Sequence, residues 1–194
     1  MTSLTAKGLS TRARVLTTAR AVLVEHGYEG LVLRAVAARC GMQLGNLQYY
    51  FATREALLLA VIEAEGMDDR ALIDQALAAP GEPAATLRNI IRELVTRWRG
   101  DSAIVYATLN LMSLTSDPFK QLYRQIYADH YASLEGAIGA AAPALTPEER
   151  RTRARLLTAL IDGAPYQTSV GPRGRYLTRI VAEGCRIALG EHAG

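Results

Sequence analysis

The stretch Gln43–Phe51, "QLGNLQYYF", sets the amides of Gln43, Asn46 and Gln48 beside Gly45 and the adjacent phenols Tyr49 and Tyr50. Asparagine and glutamine side chains can bond bidentately to adenine N6 and N7 in the major groove of DNA. Tyrosine hydroxyls can donate to phosphate oxygens while their rings pack on sugars. Gly45 lets a helix N-terminus come close to a phosphate backbone, and such a terminus favours anions through its free N–H groups and its dipole. The chemistry on offer is recognition of a nucleic acid.

Such a cluster needs a scaffold that turns it outward. The spacing predicts a short helix from about Leu33 to Cys40, a turn at Gly41 and a second short helix from about Leu44 to Phe51. Ala37 is small enough for a close helix crossing, and Gly41 can take the positive φ of the turn without a Cβ penalty. Met42, Leu47 and Phe51 then pin the second helix, which leaves Gly45, Asn46, Gln48 and Tyr49 outward. That is the plan of a helix-turn-helix, which reads DNA with the N-terminal part of its second helix. The plainer alternative is a pair of core helices with a polar outer face; the amide–aromatic cluster together with the local charge favours DNA.

Charge is unevenly spread over the 194 residues. Residues 1–54 hold seven basic and two acidic side chains, a balance of +5, whereas the whole chain carries +3. A basic first quarter suggests a polyanion partner; chance surface charge is the competing explanation. With 49% hydrophobic and 21% charged residues the composition is that of an ordinary globular chain able to bury a core without disulfides. Cys40 and Cys185 are far apart in sequence and form neither a disulfide framework nor a metal site, which points to a reducing compartment. The first fifteen residues lack the apolar run of a signal peptide, and no apolar run reaches the ~20 residues of a spanning helix. A cytoplasmic protein, with no membrane partner, is expected.

Helical periodicity dominates the remainder, and about nine helices with no sheet are expected. The first runs from about Thr11 to His26, with Val15, Ala19, Val22 and Leu23 as its apolar stripe and Gly27 as its stop. A long helix starts near Thr53 as N-cap and ends before Pro80, with Gly66 as a point of weakness. "PGEP" (Pro80–Pro83) punctuates the middle of the chain, and three helices follow, about 84–99, 101–115 and 118–142. Thr146, Pro147 and Glu149 have the spacing of a capping box that opens the next helix. "GPRG" (Gly171–Gly174) separates that helix from a last one, about Arg175–Leu189.

With these residues in view, the chain resembles the tetracycline-repressor (TetR) family of transcriptional regulators. The likeness runs from Val15 to about Leu58 through "EHGYEGL", "RAVAARCGM", "GNLQYYF" and "TREALLLAVI". It implies a helix-turn-helix DNA-binding domain over residues 1–66, with the motif at about 33–52, and a helical ligand-binding and dimerisation domain over 67–194. It implies that Gln43, Leu44, Gly45, Asn46, Gln48 and Tyr49 fall on base- or phosphate-contacting positions. Tyr50 stands where a histidine is common, Arg54 where a lysine grips phosphate, and Arg34 on a backbone-contacting position of the second helix. The sequence also departs from the family pattern. Val32 and Gln43 stand where hydroxyl caps are usual, Leu44 replaces a frequent lysine or glutamine, and Gln48 a frequent tyrosine.

The rest of the chain has no motif of comparable strength. Leu157, Leu160 and Ile161, with Leu177, Ile180, Val181, Gly184 and Ala188, repeat at helical spacing on the last two helices, where small Gly163 and Gly184 would permit close approach. These stripes suit either an intramolecular core or a two-fold four-helix bundle, and the resemblance implies the homodimer, presenting two readers to a palindromic operator. Trp98, Tyr106, Asn110, Tyr127, Tyr131 and Asp162 could line a pocket for a small apolar or aromatic effector, or could be core. Asp162 could orient that ligand or cap a neighbouring backbone. No cofactor or metal is expected. His26, His130 and His192 are isolated, and Ser102, Ser113 and Ser169 lack a nucleophile-elbow context, which argues against an enzyme. A DNA-coating protein would need stronger basicity than +3. The resemblance makes repression the usual mode, released when the effector binds.

Overall fold

A computed structural model describes residues 6–168 and 173–190. Among them are nine helices and no strand: α1 (Ala6–Gly30), α2 (Leu33–Arg39), α3 (Leu44–Tyr50), α4 (Arg54–Ala78), α5 (Pro83–Trp98), α6 (Asp101–Ser113), α7 (Asp117–Ala141), α8 (Pro147–Thr168) and α9 (Arg173–Leu189). The all-helical expectation holds. The chain forms two compact units, one of Met1–Gly66 with Ile104–Tyr123 and one of Met67–Ala103 with Arg124–Gly194.

Local chemistry explains most helix ends. Gly27 adopts φ 65°, breaks the helical course of α1 and leaves one further turn to Gly30. Helix α1 begins earlier than the sequence suggested, because nothing between Ala6 and Ser10 stops it. Thr11, instead of capping, sits inside α1 and donates its hydroxyl to the Lys7 carbonyl at 2.9 Å. Thr53 caps α4 by accepting the Ala56 N–H at 3.0 Å, and α4 runs through Gly66 without interruption. At α5 the Glu82 carboxylate accepts the N–H groups of Ala84 and Ala85 at 3.0 and 2.8 Å, with Pro83 in the first turn. The capping box of α8 is complete: the Thr146 N–H donates to Glu149 Oε2 at 2.8 Å and the Glu149 N–H to Thr146 Oγ1 at 3.2 Å. Helix α9 starts at Arg173, inside the expected "GPRG" break, whose first two residues lie outside the described ones.

The first unit is built around Val15, Ala19, Val22 and Leu23 of α1, on which Leu31, Val36, Ala37, Leu47, Phe51, Leu57 and Leu58 close as a buried core. In the second unit α5, α8 and α9 pack on one another over Ile90, Ile91, Leu94, Leu157, Ile161, Ile180 and Ala188, all buried.

Candidate nucleic-acid interface

The α2–α3 pair owes its shape to a short run of backbone bonds. The Cys40 N–H closes α2 on the Val36 carbonyl at 2.9 Å, the Gly41 N–H reaches the Ala38 carbonyl at 3.0 Å, and the Met42 N–H reaches the Ala37 carbonyl at 3.0 Å. Gly41 takes φ 63° in that turn, a conformation that costs any side chain bearing a Cβ. Beyond it, Leu47 is 0% and Phe51 4% exposed, so one stripe of α3 is locked into the core. The Arg12 guanidinium lies 5.3 Å from the Phe51 ring centroid and covers its rim.

The opposite stripe of α3 faces water. Gln43, Gly45, Asn46, Gln48 and Tyr49 are exposed, Tyr49 to 71%, while Leu44 and Tyr50 are half-buried. The Tyr49 and Tyr50 rings meet edge to face at 5.4 Å, which limits their sweep. The amides of Gln43, Asn46 and Gln48 make no hydrogen bond to other described residues, so they can exchange water for base edges without breaking an internal contact. Neither Val32 nor Gln43 makes a side-chain cap bond at the start of its helix, as their residue types lead one to expect.

Of the cations in the first quarter, several are already engaged. Arg20 is bound to the buried Glu65 carboxylate through Nε at 2.6 Å, and Arg39 holds Glu25 through both Nη atoms at 2.5 and 2.7 Å. The Arg39 hydrogen bond keeps the Glu25 carboxyl below its ordinary range. Arg34 is exposed and pairs with no carboxylate among the described residues. Arg54 stands differently. Its guanidinium lies 3.7 Å from the Tyr28 ring centroid, Nη2 donates to the Tyr28 carbonyl at 2.6 Å, and the Glu29 carboxylate is 3.7 Å away. It braces the start of α4 against the end of α1, a role that residue type and position did not disclose.

The effector candidates divide between the units. Tyr106 and Asn110 belong to the first; Tyr106 is buried, and Asn110 Oδ1 is buried with no hydrogen-bond partner. In the second, Tyr127 and Tyr131 of α7 have ring centroids 5.9 Å apart, and the Tyr127 hydroxyl donates to Asp162 Oδ2 at 3.0 Å. Asp162 therefore meets a phenol and not a backbone group, and burial pushes its carboxyl up to about 6. Trp98 is buried and its indole N–H donates to Asp69 Oδ2 at 2.7 Å, so its polar edge is occupied within the unit. His130, isolated in the sequence, stacks its ring on Trp98 at 5.8 Å, its Nε2 is buried without a hydrogen-bond partner, and burial holds its pKa down to about 4. No local sequence signal marks it, since Trp98 is remote in the chain.

The candidate dimer residues fall into two sets. Leu157, Ile161, Ile180, Gly184 and Ala188 are buried within the second unit itself. A Cβ on Gly184 would come within 3.1 Å of both Ile91 and Leu157, so this glycine serves the packing of α9 inside the chain. At Gly163 a Cβ would meet nothing within 4 Å, so it does not mediate a close approach among the described residues. Leu160, Leu177 and Val181 are only partly covered, beside exposed Leu156, Tyr166 and Tyr176.

The described chain thus carries a helix-turn-helix with a water-facing polar stripe and is otherwise helical. Comparison with known sequences goes further: residues 15–61 match the family described as "Bacterial regulatory proteins, tetR family". The likeness to that family is carried by this first domain. The chain is 37% identical over 86 residues, 42% of each chain, to an uncharacterized HTH-type transcriptional regulator in the dhlA 5′ region of Xanthobacter autotrophicus. It is 32% identical over 83 residues, 43% of this chain and 41% of the other, to the HTH-type transcriptional repressor KstR of Mycolicibacterium smegmatis. These matches span less than half the length of the curated relatives. A TetR transcription regulator from Haloarcula marismortui superposes with a TM-score of 0.79 at 18% identity, over 93% of this chain and 97% of that one, and shares the fold. No described helix is long and apolar enough to cross a membrane, and no described cluster of His, Cys, Asp and Glu could hold a metal ion.

Proposed function

We propose that the chain is a ligand-responsive transcriptional regulator, acting as a repressor, which binds a palindromic operator as a homodimer and leaves it when a small apolar or aromatic effector binds. One observation carries this reading: the amides of Asn46 and Gln48 stand exposed and internally unbonded beside Tyr49, on a helix whose other stripe is anchored by Leu47 and Phe51. Base edges are read by Asn46 and Gln48, and Arg34, Tyr49 and Tyr50 contact the backbone, with Gln43, Leu44 and Gly45 at the helix start. Arg54 supports that start through its hold on Tyr28.

Leu156 and Leu160 on α8, with Leu177 and Val181 on α9, offer apolar surface to a second copy, and a two-fold pairing spaces two readers for successive major grooves. The effector must bind better to the conformation whose readers are badly spaced, since a ligand indifferent to conformation shifts nothing. A palindrome from DNA flanking the gene, compared with scrambled DNA at fixed salt, tests the reading. A specificity ratio of about 10³ or more is expected, and a ratio near one would assign the chain to non-specific DNA coating.

A further inference from the structure

Asp162 on α8 is a largely buried carboxylate with an incomplete set of partners. Oδ2 accepts the Tyr127 hydroxyl at 3.0 Å, while Oδ1 is buried with no hydrogen-bond partner. Among the described residues, burial and the Tyr127 bond are what act on its titration. Arg155, on the same helix, is turned instead to the Tyr131 ring, 5.7 Å from its centroid. Burial raises the carboxyl to about 6, which still leaves the charged form dominant at neutral pH. A buried carboxylate with one neutral donor and no described countercharge costs stability unless something else completes it.

The surroundings say what would complete it. Tyr127 is 4% exposed and Tyr131 is half-buried, and their tilted rings lie 5.9 Å apart on the helix whose Tyr127 hydroxyl meets the carboxylate. Next to Asp162, a Cβ on Gly163 would meet no other element's described atoms within 4 Å. An acceptor oxygen without a donor, a carboxylate without a cation among the described residues and two neighbouring aromatic rings all suit one class of group. We propose that the α7–α8 cluster of Asp162, Tyr127 and Tyr131 binds a protonated amine borne on an aromatic or apolar body. Its ammonium N–H donates to Asp162 Oδ1, and the cation lies against the tyrosine rings. This rests on the reading of the second unit as effector-binding and specifies the charge of the effector.

The test uses the full chain and two probes of similar size, benzylamine, cationic at neutral pH, and benzyl alcohol, which is neutral. Calorimetric titration should show the amine binding at least about tenfold more tightly, and Asp162→Asn should bring the two affinities together. Circular dichroism establishes that the variant keeps its helices. Should Asp162→Asn fail to fold, Tyr131→Leu must weaken the amine more than the alcohol. Equal or tighter binding of the alcohol, an amine preference that survives Asp162→Asn, or no binding of the amine at millimolar concentration would each overturn the proposal. The regulatory reading fails separately: amine binding that depends on Asp162 but leaves operator affinity unchanged retains this site and rejects ligand-responsive release. A neutral compound that releases DNA from a chain that does not bind the amine does the reverse.

Discussion

The α3 face and the α7–α8 cluster both hold polar groups with no partner in the chain, under opposite conditions. Asn46 and Gln48 are exposed, so water satisfies them at little cost. Asp162 Oδ1 and His130 Nε2 are buried with no hydrogen-bond partner among the described residues, where an unmade bond costs stability. An exposed unpaired group is a recognition surface whose selectivity is set by the partner. A buried unpaired group is a stored instability whose relief selects the ligand.

This contrast predicts different responses to mutation. Leu47→Ala removes the fully buried anchor of α3 and should cost about 2–5 kcal/mol in urea unfolding, with DNA binding lost alongside. A cost well below that range would mean that Leu47 is not what orients the exposed amides.

Asp162→Asn should act in the opposite direction. A carboxyl raised to about 6 makes folding favour its protonated form, so its contribution is full below the unfolded value and is lost as pH rises through about 6. The variant should therefore be about 1–3 kcal/mol more stable than the parent near neutral pH, a gain that vanishes as pH falls toward about 4. His130, held down to about 4, has the reverse sign: its stability is full above its unfolded pKa and is lost as pH falls through about 4. The Asp162→Asn chain should then weaken on acidification more steeply than the parent, which unfolding curves at several pH values will show.

Gln48→Ala should cost about 1–3 kcal/mol of discrimination between operator variants, read by competition binding. Relative affinities that do not change would remove Gln48 from the base-reading set. Arg34→Ala should weaken all DNA sequences alike and reduce the salt slope by about 1. Gly41→Ala, at φ 63°, should destabilise the first unit by about 1–2 kcal/mol without altering base preference.

How much of this was legible in the sequence depends on the range of the interaction involved. The turn at Gly41, the stop at Gly27 and the reciprocal bonds of Thr146 and Glu149 follow from neighbours a few residues apart. The stripes of α8 and α9 were equally visible, yet periodicity tells which side of a helix is apolar and not what covers it. Gly184 packs against Leu157, Leu160 and Ile91, while Leu160, Leu177 and Val181 are only partly covered among the described residues. The family position of Arg54 gave no sign that its guanidinium lies on the Tyr28 ring.

Local patterns thus decided the helices, the turn and the outward face of α3, because amphipathic spacing and glycine conformation act within a few residues along the chain. Which polar atoms are buried, and whether a partner reaches them, was decided only when distant helices met. Asp162 depends on Tyr127, and His130 on Trp98, contacts that no sequence window contains. Desolvation is a property of the packed unit, and so the α7–α8 cluster acquires its chemistry only in the folded chain.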